Sequence, residues 1–348
     1  MHLIVSGKPG AFPSPLWGGV RGGVTLCKKD REEDAPHPLP LPTLAAQTRC
    51  SRGSGEYSEW AMIGQFVLNG FVTGMLVALP AVALTLTYGI LKFPNFAIGA
   101  MLTVGAYIAF ALNAWLELPL VWSAVLGAIA FAGVAVGVDH AVFRPLRERS
   151  AITLLVASMG VSFVLENVVR FIFGNQARSY EIPLARAHEV LGLQVNAEQV
   201  ITAATALSAM VAVYLILRHT WLGRAMRAVS DNSALAAVRG INPAHIVRWT
   251  WALTGVLVGI AGVLAGMDRA IDPLLGWNYV ITVFAAAILG GLGNPLGAVL
   301  GALTMGVVEE TSTLVISPNY RQVVSFIAIA LFLLARPQGL LGTLRVRR

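Results

Sequence analysis

From Gly64 onward the chain is a succession of apolar stretches, near 64–90, 93–112, 119–142, 151–173, 199–218, 247–267, 277–290, 296–316 and 321–336. Crossing a bilayer as a helix takes about 20 apolar residues, and in hydrocarbon every backbone N–H and C=O must be paired within the protein. The stretches lack the alternation of a membrane barrel, which leaves helices. The expected fold is all-α: a polytopic transmembrane helical bundle of about eight to nine spans. Composition agrees, with 56% hydrophobic and 12% charged residues, where a soluble domain carries about 25% charged. A disordered chain, a disulfide scaffold and an ordinary water-soluble enzyme are excluded.

Several spans are broken. "LKFPNFAIGA" (91–100) puts Pro94 and Asn95 just inside a span, and "ILGGLGNPLGAVLG" (288–301) interrupts another with glycines and Pro295. Irregular backbone at membrane depth survives only where protein or a water-lined path satisfies the freed groups. In transporters such breaks often mark the substrate route. Small residues recur at four-residue spacing (Gly255 and Gly259, Gly262 and Gly266, Gly293, Gly297 and Gly301), which suits close helix approach in lipid.

Residues 1–61 read differently, with runs such as "PSPLWGGVRGG" and "APHPLPLP". Such composition buries too little surface to offset folding entropy, so a disordered tail is expected. It is either a regulatory extension or the product of an upstream start, with Met62 as the true one, and the second reading is preferred. Both cysteines, Cys27 and Cys50, fall in this tail, so the membrane part has no disulfide or thiolate metal site.

Charge sets orientation. One group of loops holds Lys92, Arg144, Arg147, Arg149, Arg218, Arg224, Arg227, Arg239 and Arg248, and the C-terminus adds Arg336, Arg345, Arg347 and Arg348. The alternate loops hold only Arg170, Arg178, Arg186, Arg269 and Arg321. The first group, with the C-terminus, is expected to be cytoplasmic. The net charge of +7 therefore reflects loop topology. No basic, aromatic-interleaved domain points to nucleic acid.

No chemistry-bearing constellation stands out. A phosphate-binding loop is absent, His140, His188, His219 and His245 have no metal spacing, and there is no nucleophile–base pair. No catalytic, cofactor or metal residues are assigned, and the chain is not expected to be an enzyme. Glu166 lies within a span, where an ionisable group is a functional candidate by default. It faces a substrate path, pairs with a neighbouring chain, or lies near enough to the outer interface to pair with Arg170, four residues on.

The longest loop of the basic group, 218–248, reads "RHTWLGRAMRAVSDNSALAAVRGINPAHIVR". A helix is expected from Gly223 to about Arg239, with Gly240 as its C-cap and Pro243 preventing continuation. Stranded between two spans, such an amphipathic helix needs a partner surface, or anionic lipid.

Here the sequence resembles the inner-membrane permeases of ABC importers for branched-chain amino acids, the shorter of their two paired types. The resemblance covers about 62–345. It is carried by "TLTYGILKFPNFAIGAMLTVGAYIAF" (85–110), "RPLRERSAITLLVASMGVSFVLENVVR" (144–170), "GRAMRAVSDNSALAAVRGIN" (223–242) and "FAAAILGGLGNPLGAVLGALTMGVVEE" (284–310). It implies a transmembrane permease domain in a bacterial inner membrane, carrying branched-chain amino acids or a related small solute. The implied partners are a second permease (in a hetero- or homodimer), two ATP-binding subunits and a periplasmic substrate-binding protein. It also implies that Arg224, Arg227, Asp231, Leu235, Ala236, Ala237, Gly240 and Ile241 form the ATPase-coupling segment. The translocation path would pass Asn95, Glu166, Gly290, Gly291 and Gly293. The competing expectation is an ion-coupled secondary carrier, which would need buried ionisable groups such as Glu166.

Overall fold

The computed structural model describes residues 55–180, 188–190, 193–317, 320–335 and 339–340. The expectation for the tail therefore lies outside the described residues up to position 54, as do Arg186, Arg336, Arg345, Arg347 and Arg348. The chain divides after Gly53, and all described residues belong to the second unit.

Each apolar stretch is a helix. They are α1 (Gly55–Leu91), α2 (Ile98–Trp115), α3 (Leu120–Val138), α5 (Ala151–Phe173), α6 (Ala197–His219), α9 (Pro243–Asp268), α10 (Leu275–Gly290), α11 (Pro295–Ser312) and α12 (Arg321–Ala335). A π-helical turn, Asp139–Phe143, joins α3 to the short α4 (Arg144–Leu146). Two short helices, α7 (Trp221–Asp231) and α8 (Ser233–Val238), fill the 218–248 loop. A two-stranded hairpin, β1 (His188–Val190) and β2 (Leu193–Val195), lies between α5 and α6. Among the described residues, six helices are long and apolar enough to cross a membrane. α10 and α12 are shorter apolar helices. α1 starts at Gly55, so the expected boundary at 61 falls inside its first two turns.

The loops separate into two ends. At one, Ser230 of α7 donates to the Gly89 carbonyl (2.7 Å), Phe93 meets Phe143 (centroids 5.4 Å), and the Leu340 amide donates to the Leu289 carbonyl (2.7 Å). At the other, Gln65 exchanges two 2.9 Å hydrogen bonds with the Gln194 backbone, Arg178 pairs with Ile271, and Arg321 pairs with Glu310 at 3.0 Å. The described loops of the basic group all lie at the first end, hereafter the basic end.

Small residues set the packing. Gly255 and Gly259 lie against Ala132 and Ala128 of α3, where an added Cβ would come within 2.7 and 2.9 Å of backbone Cα atoms. Gly262 lies against α2, where a Cβ would stand 2.8 Å from the Ala106 amide. The four-residue spacing thus marks helix crossings. α1 packs along α11 in antiparallel fashion, Gly70 against Val307 and Gly74 against Leu303.

The first break is built as expected for irregular backbone in lipid. α1 stops at Leu91 and Lys92 turns the chain with φ +58°. The freed amides then find protein partners: Ala97 N–H donates to Asn95 Oδ1 (3.1 Å) and Phe96 N–H to Ser158 Oγ (3.1 Å). Ser158 is two turns into α5, so the break lies well inside the bundle. Phe96 stacks on Phe284 at 4.5 Å, and Phe143 stacks on Trp251 at 5.0 Å while meeting Phe93 at a tilt of 32°. Replacing Ser158 with Ala leaves the Phe96 amide without a partner, at a cost of about 1–3 kcal/mol. Thermal unfolding of the purified variant is expected at a lower temperature than wild type, and Ser158→Thr should recover part of the loss.

Candidate functional site

The 218–248 segment is where the structure departs most from expectation. One helix from Gly223 to Arg239 was expected, but Asn232 breaks it. Asn232 adopts extended backbone (φ −156°, ψ 104°), and its Oδ1 accepts from the Leu235 amide at 3.0 Å. It thus ends α7 and caps α8. Asparagine competes with the helix for backbone hydrogen bonds, which suits it to a cap better than an interior.

The rest of the segment follows local rules. Thr220 caps α7 through the Gly223 amide (3.3 Å). Gly240 has φ +82°, its amide donates to the Ala237 carbonyl, and the Ile241 amide donates to the Ala236 carbonyl, both at 3.0 Å. Together these bonds form a Schellman motif, which favours glycine at this position. Asn242 then caps α9 through the Ala244 amide (3.0 Å), with Pro243 in its first turn. Pro243 opens the next helix.

The amphipathic pattern resolves into two faces. Ala225, Met226, Val229 and Ala236 are buried with Ile246, against Ile90, Leu217 and Leu253 of the bundle. Arg224, Arg227, Asp231, Leu235, Ala237 and Gly240 are exposed, and Ile241 is half-buried. Val238 is 84% exposed and Leu235 58%, so apolar side chains face outward between the charges. Of the residues assigned to coupling, Ala236 alone faces fully inward, holding α8 on the bundle.

This surface is tied to the first break. Ser230 Oγ–H donates to the Gly89 carbonyl, and Lys92 Nζ reaches the same carbonyl and Ser230 Oγ (3.4 Å). The C-terminus of α7, the last turn of α1 and the start of the 92–97 break are therefore one connected unit. Neither Ser230 nor Gly89 was singled out in the sequence. The bond joins residues 141 positions apart, and only the serine hydroxyl hinted at it.

The residues assigned to the path are spread out. Asn95 is fully buried, its side chain engaged by Ala97 N–H and, more weakly, by Met101 Sδ (3.9 Å). Gly290 packs on Gly297 at the α10–α11 turn, where Gly291 (φ +100°) and Gly293 (φ +95°) supply the left-handed backbone. Gly293 also approaches Gly89. Glu166 lies two turns beyond Ser158 on α5, is half-buried and pairs with Arg170 at 2.5 Å, with exposed Phe163 one turn before it on the same side. The structure gathers the Gly290–Gly293 turn with the Lys92 break and leaves Glu166 apart from them. Among the described residues no group of three His, Cys, Asp or Glu is placed to hold a metal ion.

Comparison with known proteins agrees with this architecture. Residues 66–334 match the family described as branched-chain amino acid transport system / permease component. The high-affinity branched-chain amino acid transport system permease protein LivH of Salmonella typhimurium is 32% identical over 82% of this chain and 97% of its own length. BraD of Pseudomonas aeruginosa, a permease protein of the same description, is 31% identical over 82% of this chain and 97% of its own. A probable branched-chain amino acid transport permease of Methanocaldococcus jannaschii is 29% identical over 80% and 92%. The chain belongs to the family of the branched-chain amino acid transport system permease component.

Proposed function

We propose that this protein is the transmembrane permease subunit of an ATP-driven ABC importer for branched-chain amino acids or a related small solute, with its basic end and C-terminus in the cytoplasm of a bacterial inner membrane. The observation that carries the reading is the α7–α8 unit, a short rigid surface outside the bundle, capped at each junction and tied to the broken helix start. ATP is hydrolysed on two partner subunits, a second permease completes the path, and a periplasmic binding protein delivers the solute.

The mechanism follows from the connections. Arg224, Arg227, Asp231, Leu235, Ala237, Gly240 and Ile241 dock on the ATP-binding subunit, with Ala236 seating α8 beneath them. Leu235 and the small surface around Ala237 and Gly240 allow close approach, and the arginines orient it. Closure of the ATP-binding pair pushes α7, and Ser230 passes the displacement to Gly89 and Lys92. The 92–97 break and the glycine turn Gly290–Gly293 then yield, because neither is regular helix. Glu166, its charge matched by Arg170 on α5, stands apart from both of these elements.

Ser230→Ala is expected to lower uptake roughly threefold to tenfold at unchanged membrane abundance, the scale of one lost hydrogen bond. Unaltered uptake would remove the proposed link. The function itself is tested by uptake of radiolabelled leucine in cells carrying the chain with its partners. Uptake should persist when the proton gradient is collapsed at constant ATP, and stop when the partner ATPase is inactivated. The opposite pattern would establish the ion-coupled carrier.

A further inference from the structure

α1, α6, α7, α9 and the α10–α11 turn line an open cavity of about 1080 Å³. Its rim carries Lys92, Arg218 and Arg227, and none of its wall residues is acidic. Arg218 is held by the Tyr214 hydroxyl and ring, and Arg227 by the Leu217 carbonyl. The depth of the cavity is apolar, formed by Leu79, Val82, Leu86, Val213 and Leu257. Leu79 and Lys92 are both in the wall. The helix between them rises about 20 Å, at about 1.5 Å per residue, which exceeds half of a hydrocarbon core of about 30 Å. Leu292 and Leu296, both exposed, form part of the wall beside the cations.

The shape and charge select among occupants. A zwitterionic amino acid would find cations for its carboxylate but no acid for its ammonium. It would also leave most of the volume empty, since cavities of about 300–1,000 Å³ already hold much larger ligands. Inorganic phosphate would use the rim and leave the apolar depth unfilled. An anionic amphiphile matches both halves. Basic sites between helices at the cytoplasmic surface suit anionic headgroups.

The geometry points to a seat for one anionic phospholipid, with its phosphate held by Lys92 and Arg218 and an acyl chain lying along α1 from Leu86 towards Leu79, while Arg227 adds positive charge at the edge and keeps its place on the docking face. Which leaflet supplies the lipid rests on the orientation proposed above. The binding itself does not depend on transport, so its failure and failure of the importer reading are read separately.

The test is native mass spectrometry of the purified, delipidated protein with its co-purifying subunits, after incubation with phosphatidylglycerol, phosphatidylcholine or inorganic phosphate. One phosphatidylglycerol retained per copy of this chain, in preference to phosphatidylcholine, is the expected result. Arg218→Gln should lower retention about fivefold, the scale of one basic residue near an anionic surface, and Arg218→Lys should keep it. Met210→Trp, which fills the apolar depth and leaves the rim charges, should also lower it. Equal retention of the two lipids, no effect of Arg218→Gln, or full displacement of lipid by millimolar inorganic phosphate would overturn the proposal.

Discussion

A chain carrying Ala237→Glu is expected to reach the membrane in normal amount and to support no ATP-driven uptake. Ala237 is on the outward face of α8 while its neighbour Ala236 holds the helix to the bundle. An exposed substitution of this kind changes folding by about 0.5 kcal/mol or less. On the docking surface the same change has a different weight. A carboxylate buried against a partner without its own counter-charge costs about 3–5 kcal/mol, which is roughly a hundredfold to several-thousandfold in affinity. Gly240→Arg adds bulk on the same surface and strains a backbone at φ +82°, so it should also abolish uptake, with some loss of abundance. Quantitative immunoblotting of membranes alongside leucine uptake separates the two effects. Wild-type uptake by Ala237→Glu would remove the coupling assignment.

The second large effect is on the bundle. Gly276→Leu is expected to reduce membrane abundance to less than about a tenth. Gly276, at the start of α10, packs directly on the carbonyl of Gly99 at the start of α2, and a Cβ there would overlap that oxygen and come within 2.8 Å of Thr103 Oγ1. The Gly276 amide also donates to Thr103 Oγ1 at 2.9 Å. Relief requires the two helix starts to separate, opening the Phe96–Phe284 stack beside them. Overpacking against side chains costs about 1–3 kcal/mol, and here the obstacle is backbone, within a total stability of about 5–15 kcal/mol. The control is Gly133→Leu on α3, where the Cβ direction is open. Abundance of that variant should match wild type. Similar abundance for the two variants would mean that the Gly99–Gly276 contact does not hold the fold.

The helices were legible because apolar runs of membrane length have few alternatives, and each expected stretch has a helix at its place. The glycine spacings were legible as close approach, and the Gly240 cap followed from glycine placed before Asn242 and Pro243. The break at Asn232 was not legible. No glycine or proline marks it, and the apolar rhythm of Ala225, Met226 and Val229 continues to Ala236 as if through one helix. The capping asparagine was visible but could equally sit on an exposed helix face. The start of α1 at Gly55 was hidden by a compositional change that suggested a boundary at Met62. The Ser230–Gly89 bond and the three-cation rim around Lys92, Arg218 and Arg227 join residues far apart in sequence, and periodicity carries no information about such pairings. Glu166 was ambiguous in the sequence, and its ion pair with Arg170 accounts for its charge.

The importer reading requires that this chain not act alone. The most direct measurement is a mild-detergent pull-down of the tagged chain from native membranes, with the co-purifying proteins identified and quantified by mass spectrometry. The expected result is an ATP-hydrolysing subunit and a second permease in comparable amounts, with the ATP-hydrolysing subunit lost from the Ala237→Glu preparation. Recovery of the chain alone, in a detergent that keeps a control transporter complex intact, would contradict it.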